Sequence, residues 1–314
     1  MTDQGKTDPQ LAEKTGKDPT WLLERRRDVF SQDGEDGIIE AILDMLPGRN
    51  HWCVEIGAWD GISGSNTRNL IISRNYSAVL IEANSKRAHA LRSNYSGNSR
   101  VIALRAMVGF SQQDGLDALL SATSVPRDFD FLSIDIDGND YHVWKAMQQY
   151  EPKALVIEFN PTVPSAVNFI QSADPALSQG SSLRSMIELG RQKGYELVSV
   201  TGVNAFFVRQ EYFPLFRIVD NSIEALQTNL WAVTYLFVGY DGTVFLRGAR
   251  QIPWLGLTLD EARMQVVPRW FRTPRSSYSR LKHLAFSFYK DPQGFLRSLP
   301  RLSSCAISKI LRKR

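Results

Sequence analysis

Hydrophobic positions along the chain fall into short continuous runs separated by stretches of helical period. Ala78-Val79-Leu80-Ile81 and Ala154-Leu155-Val156-Ile157 are apolar throughout, as strands buried on both faces of a parallel sheet must be. Strands are expected at 51–56, 78–82, 100–106, 129–135 and 154–159. Helices near 65–74, 84–95, 114–121 and 139–149 fill the gaps. Such alternation predicts an α/β fold with helices on both faces of the sheet. After residue 159 the pattern changes. Asn160-Pro161 opens a long connection to about residue 178, Ser181 or Ser182 caps a helix ending near Lys193, and 195–201 and 205–208 read as two strands joined by Gly202-Val203-Asn204. A terminal hairpin therefore stands beside the parallel sheet.

The flanks are of a different character. Residues 1–20 are polar, with the composition of a disordered arm and without the apolar core of a signal peptide. Residues 21–50 read as a helical extension or lid, interrupted at Ser31-Gln32-Asp33-Gly34-Glu35-Asp36-Gly37. There Ser31 and Asp33 are expected to cap a helix over 38–46. The main domain is expected to span 51–247, with a basic extension over 248–314. One further hairpin, 231–239 with 243–246 through Tyr240-Asp241-Gly242, has no place that the sequence assigns.

Composition narrows the class. In 314 residues, 43% are apolar and 22% charged, and no apolar run approaches the ~20 residues of a membrane span. Two cysteines, Cys53 and Cys305, are too few for a disulfide framework or a cysteine zinc site, so a reducing cytoplasm is expected. The net charge of +4 conceals a division. Residues 262–314 hold 13 Lys or Arg against Asp291 alone, a charge of +12 that leaves −8 for the rest. An acidic body argues against nucleic acid as a partner over its whole surface. The basic, aromatic tail suits a peripheral contact with the inner face of an anionic membrane, or a solvated helical appendage.

The chemistry concentrates at strand ends. The first strand runs into Glu55-Ile56-Gly57-Ala58-Trp59-Asp60-Gly61, and the second closes on Glu82. A glycine turn lets backbone approach a ligand, and an acid at the next strand end accepts from two ribose hydroxyls, which together mark a nucleoside-containing cofactor. The Gly-x-Gly-x-x-Gly spacing of dinucleotide sites is missing. The fourth strand ends in Asp135-Ile136-Asp137-Gly138-Asn139-Asp140-Tyr141-His142 and the fifth in Glu158-Phe159-Asn160. Acids ending adjacent parallel strands converge on one hard cation or on one substrate hydroxyl. Asp135, Glu158 and Asn160 are the candidate ligands of a magnesium ion. Without metal, Asp137 or His142 is the candidate general base, and Asp135 the remaining catalytic acid of the cluster. His51, His89 and His283 form no ligand spacing.

An acid-x-Gly turn closing the first strand, an acid closing the second and an aspartate closing the fourth resemble class I S-adenosylmethionine-dependent methyltransferases. Phe30-Ser31-Gln32-Asp33-Gly34-Glu35-Asp36, Val54 to Gly61 and Phe131 to Gly138 resemble the FkbM-type branch of that family, over roughly residues 28–210. The resemblance implies a doubly wound, Rossmann-like methyltransferase fold, a mostly parallel seven-strand sheet whose last strand runs antiparallel, and methyl transfer from S-adenosyl-L-methionine to an oxygen of a sugar, polysaccharide, polyketide or related secondary metabolite. It places Glu55, Gly57 and Gly61 around the methionine part, Glu82 on the ribose, and Asp135 near the methionine amine or the reacting centre. Ala58, Asp60 and Ala83 complete the expected cofactor-binding set. The chain departs from the branch in its sparse glycine turn, in Asp137 where glutamate is frequent, and after residue 210. Two rivals remain open on the residues alone: a haloacid-dehalogenase-like phosphatase, whose Asp-x-Asp-Gly motif Asp135–Gly138 matches, and a non-catalytic interaction module of the same fold. An EF-hand is excluded because Gly138 takes the fourth position of the loop and not the sixth.

Overall fold

The computed structural model describes residues 16–298; the expected disordered arm lies largely outside them, as do Cys305 and the last part of the tail. Two compact units divide the chain, Met1–Val233 and Thr234–Arg314. The division falls ahead of the second hairpin, within the expected 51–247 span.

In the first unit a 3-10 turn, Trp21–Arg25, precedes α1 (Glu35–Met45), and strands and helices then alternate. They are β1 (Trp52–Ile56), α2 (Arg68–Ser73), β2 (Ser77–Glu82), α3 (Ser85–Asn94), β3 (Val101–Arg105) and α4 (Leu116–Ser121). Next come β4 (Phe131–Ile134), α5 (Asp140–Ala146), β5 (Ala154–Glu158), α6 (Leu183–Gln192), β6 (Tyr195–Val200) and β7 (Asn204–Arg209), and short α7 (Phe213–Phe216) and α8 (Ile223–Leu226) close the unit. One seven-stranded sheet results, in the order β3-β2-β1-β4-β5-β7-β6. Neighbours among β1 to β5 pair parallel, while β7 pairs antiparallel with both β5 and β6. This is the expected doubly wound sheet with its last strand reversed.

Each strand divides its side chains between two cores, and this division explains the continuous apolar runs. Val54, Ile56, Leu132, Ile134, Leu155 and Ile157 pack with α4, α5 and α6, where Trp144 is fully buried. Their neighbours Cys53, Phe131, Ala154 and Val156 pack on the other face against Ile38, Ile42 and Leu43 of α1 and Leu70 of α2. With both faces covered, period-two alternation in polarity disappears. At the N-terminal ends of the strands a buried ion pair joins β1, β4 and β5. Asp130 accepts from Lys153 Nζ (2.7 Å) and from the Asn50 and His51 backbone N–H groups (3.0 and 2.8 Å), while Lys153 also donates to the Gly48 carbonyl.

The N-terminal extension differs from expectation in how it is tied down. Helix α1 begins at Glu35, behind Asp33 and Gly34 in left-handed conformation (φ 55° and 77°), and Asp33 makes no cap. Ser31 Oγ accepts from the Asp36 N–H, and one Asp36 carboxylate oxygen accepts from the N–H groups of Val29, Phe30 and Ser31. The chain is thereby wrapped around the helix start.

The second unit contains the hairpin β8 (Thr234–Val238) and β9 (Val244–Gly248), the small β10 (Gln251–Ile252) and β11 (Leu257–Thr258) pair, and helices α9 (Arg280–Lys290) and α10 (Pro292–Ser298).

Candidate active site

The C-terminal ends of β1, β2, β4 and β5 lie side by side at the place where the strand order reverses, and there ligands bind in sheets of this kind. Gly57 leaves β1 at φ 79°, and a Cβ on it would stand 1.7 Å from the Asp135 carbonyl oxygen. A glycine is required twice over, for its left-handed backbone and for the approach of β1 to β4. The turn does not open a helix, contrary to expectation: α2 starts only at Arg68. The Gly57 and Ala58 N–H groups donate to the Ile81 carbonyl (3.0 and 3.1 Å), so these amides bind the turn to β2. Gly61 serves packing, since a Cβ there would meet Leu91 and Tyr95 of the α3 region within 2.6 Å.

Glu82, at the end of β2, is buried and accepts from the Trp59 N–H through Oε2 (2.9 Å) and the Asn84 N–H through Oε1 (2.6 Å). Each oxygen retains a lone pair for a further donor. Ala83 beside it is exposed, and Trp59 carries the Arg87 guanidinium 3.3 Å from its ring centroid. Glu55 turns inward. Its Oε2 accepts from the Ser65 and Thr67 hydroxyls (2.7 and 2.6 Å) and its Oε1 from the Asn66 N–H (2.9 Å), so it organises the loop before α2. Burial raises the Glu55 carboxyl against the pull of those three bonds. Asp60 closes its own turn, accepting from the Ile62 and Ser63 N–H groups (both 2.9 Å).

Carboxylates gather beyond β4 and β5. Oxygens of Asp135, Asp137 and Glu158 all lie within 4.8 Å of one another. Asp137 adopts φ 59° and is exposed; the other two are partly buried. Asn160, expected as a ligand, is engaged by other partners. Its Oδ1 accepts from Thr162 and its amide donates to the Gln179 carbonyl, whereas the turn at Asp137 swings that carboxylate back toward Asp135. His142 does not join the group. Its Nε2 lies 2.8 Å from the Gln171 carbonyl, which only accepts, so this nitrogen bears the proton and anchors the long connection after β5.

Two acids extend the group beyond what the sequence pointed to. Asp140 reads as an ordinary acid at a helix start, yet it is buried and folds back to accept from the Ile136 and Gly138 N–H groups (2.9 Å each). Glu35 comes from α1, and its Oε1 accepts from Thr201 Oγ1 and Asn204 Nδ2 (2.8 Å each) at the β6–β7 turn. Its Oε2 is buried and has no hydrogen-bond partner. The only hint in the sequence was the segment Ser31 to Asp36, whose role stayed open.

The electrostatics follow from crowding of like charges out of water. Burial pushes Glu35 up to about 7, against its two side-chain hydrogen bonds and with help from Asp33 and Asp135. Burial, then the neighbouring Asp137, raises Asp135. Burial, then Asp135, raises Asp140 despite its backbone donors, and burial with the surrounding acids raises Glu158 well above the carboxylate range.

No protein-family model matches the chain, and no curated protein matches it. Solved structures do. The N-terminal domain of EvdMO1, crystallised in the presence of SAH and D-fucose, aligns with 58% of this chain and 83% of its own at 13% identity and a TM-score of 0.38. The O-methyltransferase from Bacillus cereus in complex with SAH covers 58% of this chain and 83% of its own at 19% identity and a TM-score of 0.37. A SAM-dependent methyltransferase from Aquifex aeolicus covers 54% and 87% at 10% identity and a TM-score of 0.34. Likenesses of this size carry no argument about the reaction of this chain.

Proposed function

We propose that the chain is an S-adenosylmethionine-dependent methyltransferase acting on a hydroxyl of a sugar, polysaccharide or secondary metabolite. The observation that carries the reading is the placement, on either side of β1, of the Glu82 carboxylate ending β2 and the acids following β4 and β5, at a switch point where Gly57 lets β1 approach β4. Glu82 is suited to a ribose diol, since both of its oxygens are already oriented by backbone donors. The three motifs resembling the FkbM-type branch support an oxygen acceptor. The phosphatase alternative loses ground because Asp135 and Asp137 follow β4, whereas that fold places the motif on its first strand.

In this reading the acceptor oxygen forms a bond to the methyl carbon as the carbon–sulfur bond breaks, and the hydroxyl proton passes to a carboxylate. Asp137, exposed at the site, and Asp135, raised toward neutrality, are the candidate bases. Asp135, Asp137 and Glu158 offer oxygen ligands alone, which fits a hard cation such as magnesium. When bound, such an ion lowers the pKa of a hydroxyl beside it. Undiminished turnover in a chelator removes the ion from the account and leaves the carboxylates as bases.

Titration calorimetry with S-adenosylmethionine and S-adenosylhomocysteine is the direct test. Both are expected to bind, and Glu82→Ala to weaken both at least tenfold, or about 1.4 kcal/mol. Absence of binding by folded wild-type protein overturns the reading.

A further inference from the structure

The second unit has a character that donor binding does not explain. Residues 234–314 hold 15 Lys or Arg against Asp241, Asp260, Glu261 and Asp291, a net charge of +11, while the rest of the chain, with 22 against 29, carries −7. The net positive charge thus falls in one unit. The same unit holds large apolar side chains in water: Leu281 is 78% exposed, Trp254 72% and Leu284 55%. Exposed apolar surface on this scale marks an interaction site.

Helix α9 gives that surface an orientation. Ser279 caps it by accepting from the Lys282 N–H. Phe286 and Tyr289 form one flank and pack on Phe271, with centroids 5.2 and 5.6 Å away. Leu281, Leu284 and Phe288, spaced i, i+3 and i+7, form another flank that stands exposed. Phe288 meets Phe295 of α10 edge-on at 5.7 Å, and Leu296 of α10 is also exposed. Arg280, Lys290 and Arg297 punctuate this region and are all exposed. An apolar stripe beside cations is the arrangement of a helix lying in a membrane interface, where apolar side chains reach the acyl boundary and cations meet headgroups. No helix among the described residues is long and apolar enough to cross a membrane, so attachment would lie in the interface plane.

We propose that the unit Thr234–Arg314 docks on an anionic phospholipid bilayer through the Leu281–Leu284–Phe288 stripe and the basic residues around it. Charge complementarity selects this partner, since a neutral surface makes no use of the segregated +11. The inference is independent of donor binding, and either can fail alone. Flotation of the full chain with vesicles of phosphatidylcholine, and of phosphatidylcholine mixed with phosphatidylglycerol, tests it. The expected result is capture by the anionic vesicles only, declining as salt is raised. Leu281→Glu with Leu284→Glu is expected to weaken capture more than tenfold with unchanged circular dichroism, and so is Arg280→Glu with Lys290→Glu. Equal capture by neutral vesicles overturns the proposal, as does indifference to both double substitutions. Tighter retention on single-stranded RNA than on anionic vesicles, or self-association that the leucine substitutions abolish, overturns it in favour of those partners.

Discussion

Glu35→Gln isolates one buried charge and makes a signed prediction about pH. In the folded chain the Glu35 carboxyl titrates at about 7, against 4.5 for the ordinary group, because burial opposes ionisation. The folded state therefore binds more protons than the unfolded state between these values, and stability falls as pH rises through that window. At 1.36 kcal/mol per pKa unit, the rise amounts to about 3 kcal/mol, present below 4.5 and lost once the pH has passed about 7. Glutamine retains the acceptor used by Thr201 Oγ1 and Asn204 Nδ2, and its amide nitrogen takes the place of Oε2, which has no partner in wild type. The substitution thus removes the ionisation while keeping the shape. Urea unfolding of both proteins, in chelator, across about pH 4 to about pH 8 is the assay. Relative to wild type, the variant is expected to gain about 3 kcal/mol over that range. Parallel stability curves would show that Glu35 ionises at no cost in the fold, which refutes the account of the acid cluster as a store of unfavourable charge.

Two further substitutions test the frame around the site. Gly57→Ala meets left-handed strain of about 1–2 kcal/mol and a collision with the Asp135 carbonyl, whereas Gly64→Ala, at φ 67° with nothing within 4 Å, meets the strain alone. Thermal unfolding is expected to fall further for Gly57→Ala, with donor affinity falling as well; equal losses in the two variants would remove the close approach from the argument. Asp130→Ala leaves Lys153 buried without its carboxylate and is expected to cost about 3–5 kcal/mol. Adding Lys153→Met should recover part of that loss, and calorimetry should find donor affinity unchanged in the folded fraction because the pair lies at the opposite ends of the strands.

The strands of the seven-stranded sheet were legible in the sequence because two covered faces demand mostly apolar residues, and their predicted limits differ from the observed ones by two residues at most. Helix α2 was harder. Ser65, Asn66 and Thr67 all bond to Glu55, and this local competition delays the helix to Arg68. Strand-end acids were likewise visible as residue types, but not their directions. Asn160 and Asp137 both follow strands, and one dimension shows neither the positive φ at Asp137 nor the ties of Asn160 to Thr162 and Gln179. Asp140 reads as a helix-start acid and Glu35 as part of the turn before the helix expected over 38–46, because one dimension carries no sign of a carboxylate folding back on its own turn or reaching a distant hairpin.

The bonds from Glu35 to Thr201 and Asn204 span 166 and 169 residues of chain. Closing so long a loop is slow and comes after local structure has formed. During synthesis, α1 must wait until the β6–β7 hairpin has left the ribosome before its glutamate can meet Thr201 and Asn204. Formation of these bonds therefore reports completion of the sheet, and a nascent chain stopped short of the β6–β7 turn would hold Glu35 without either donor.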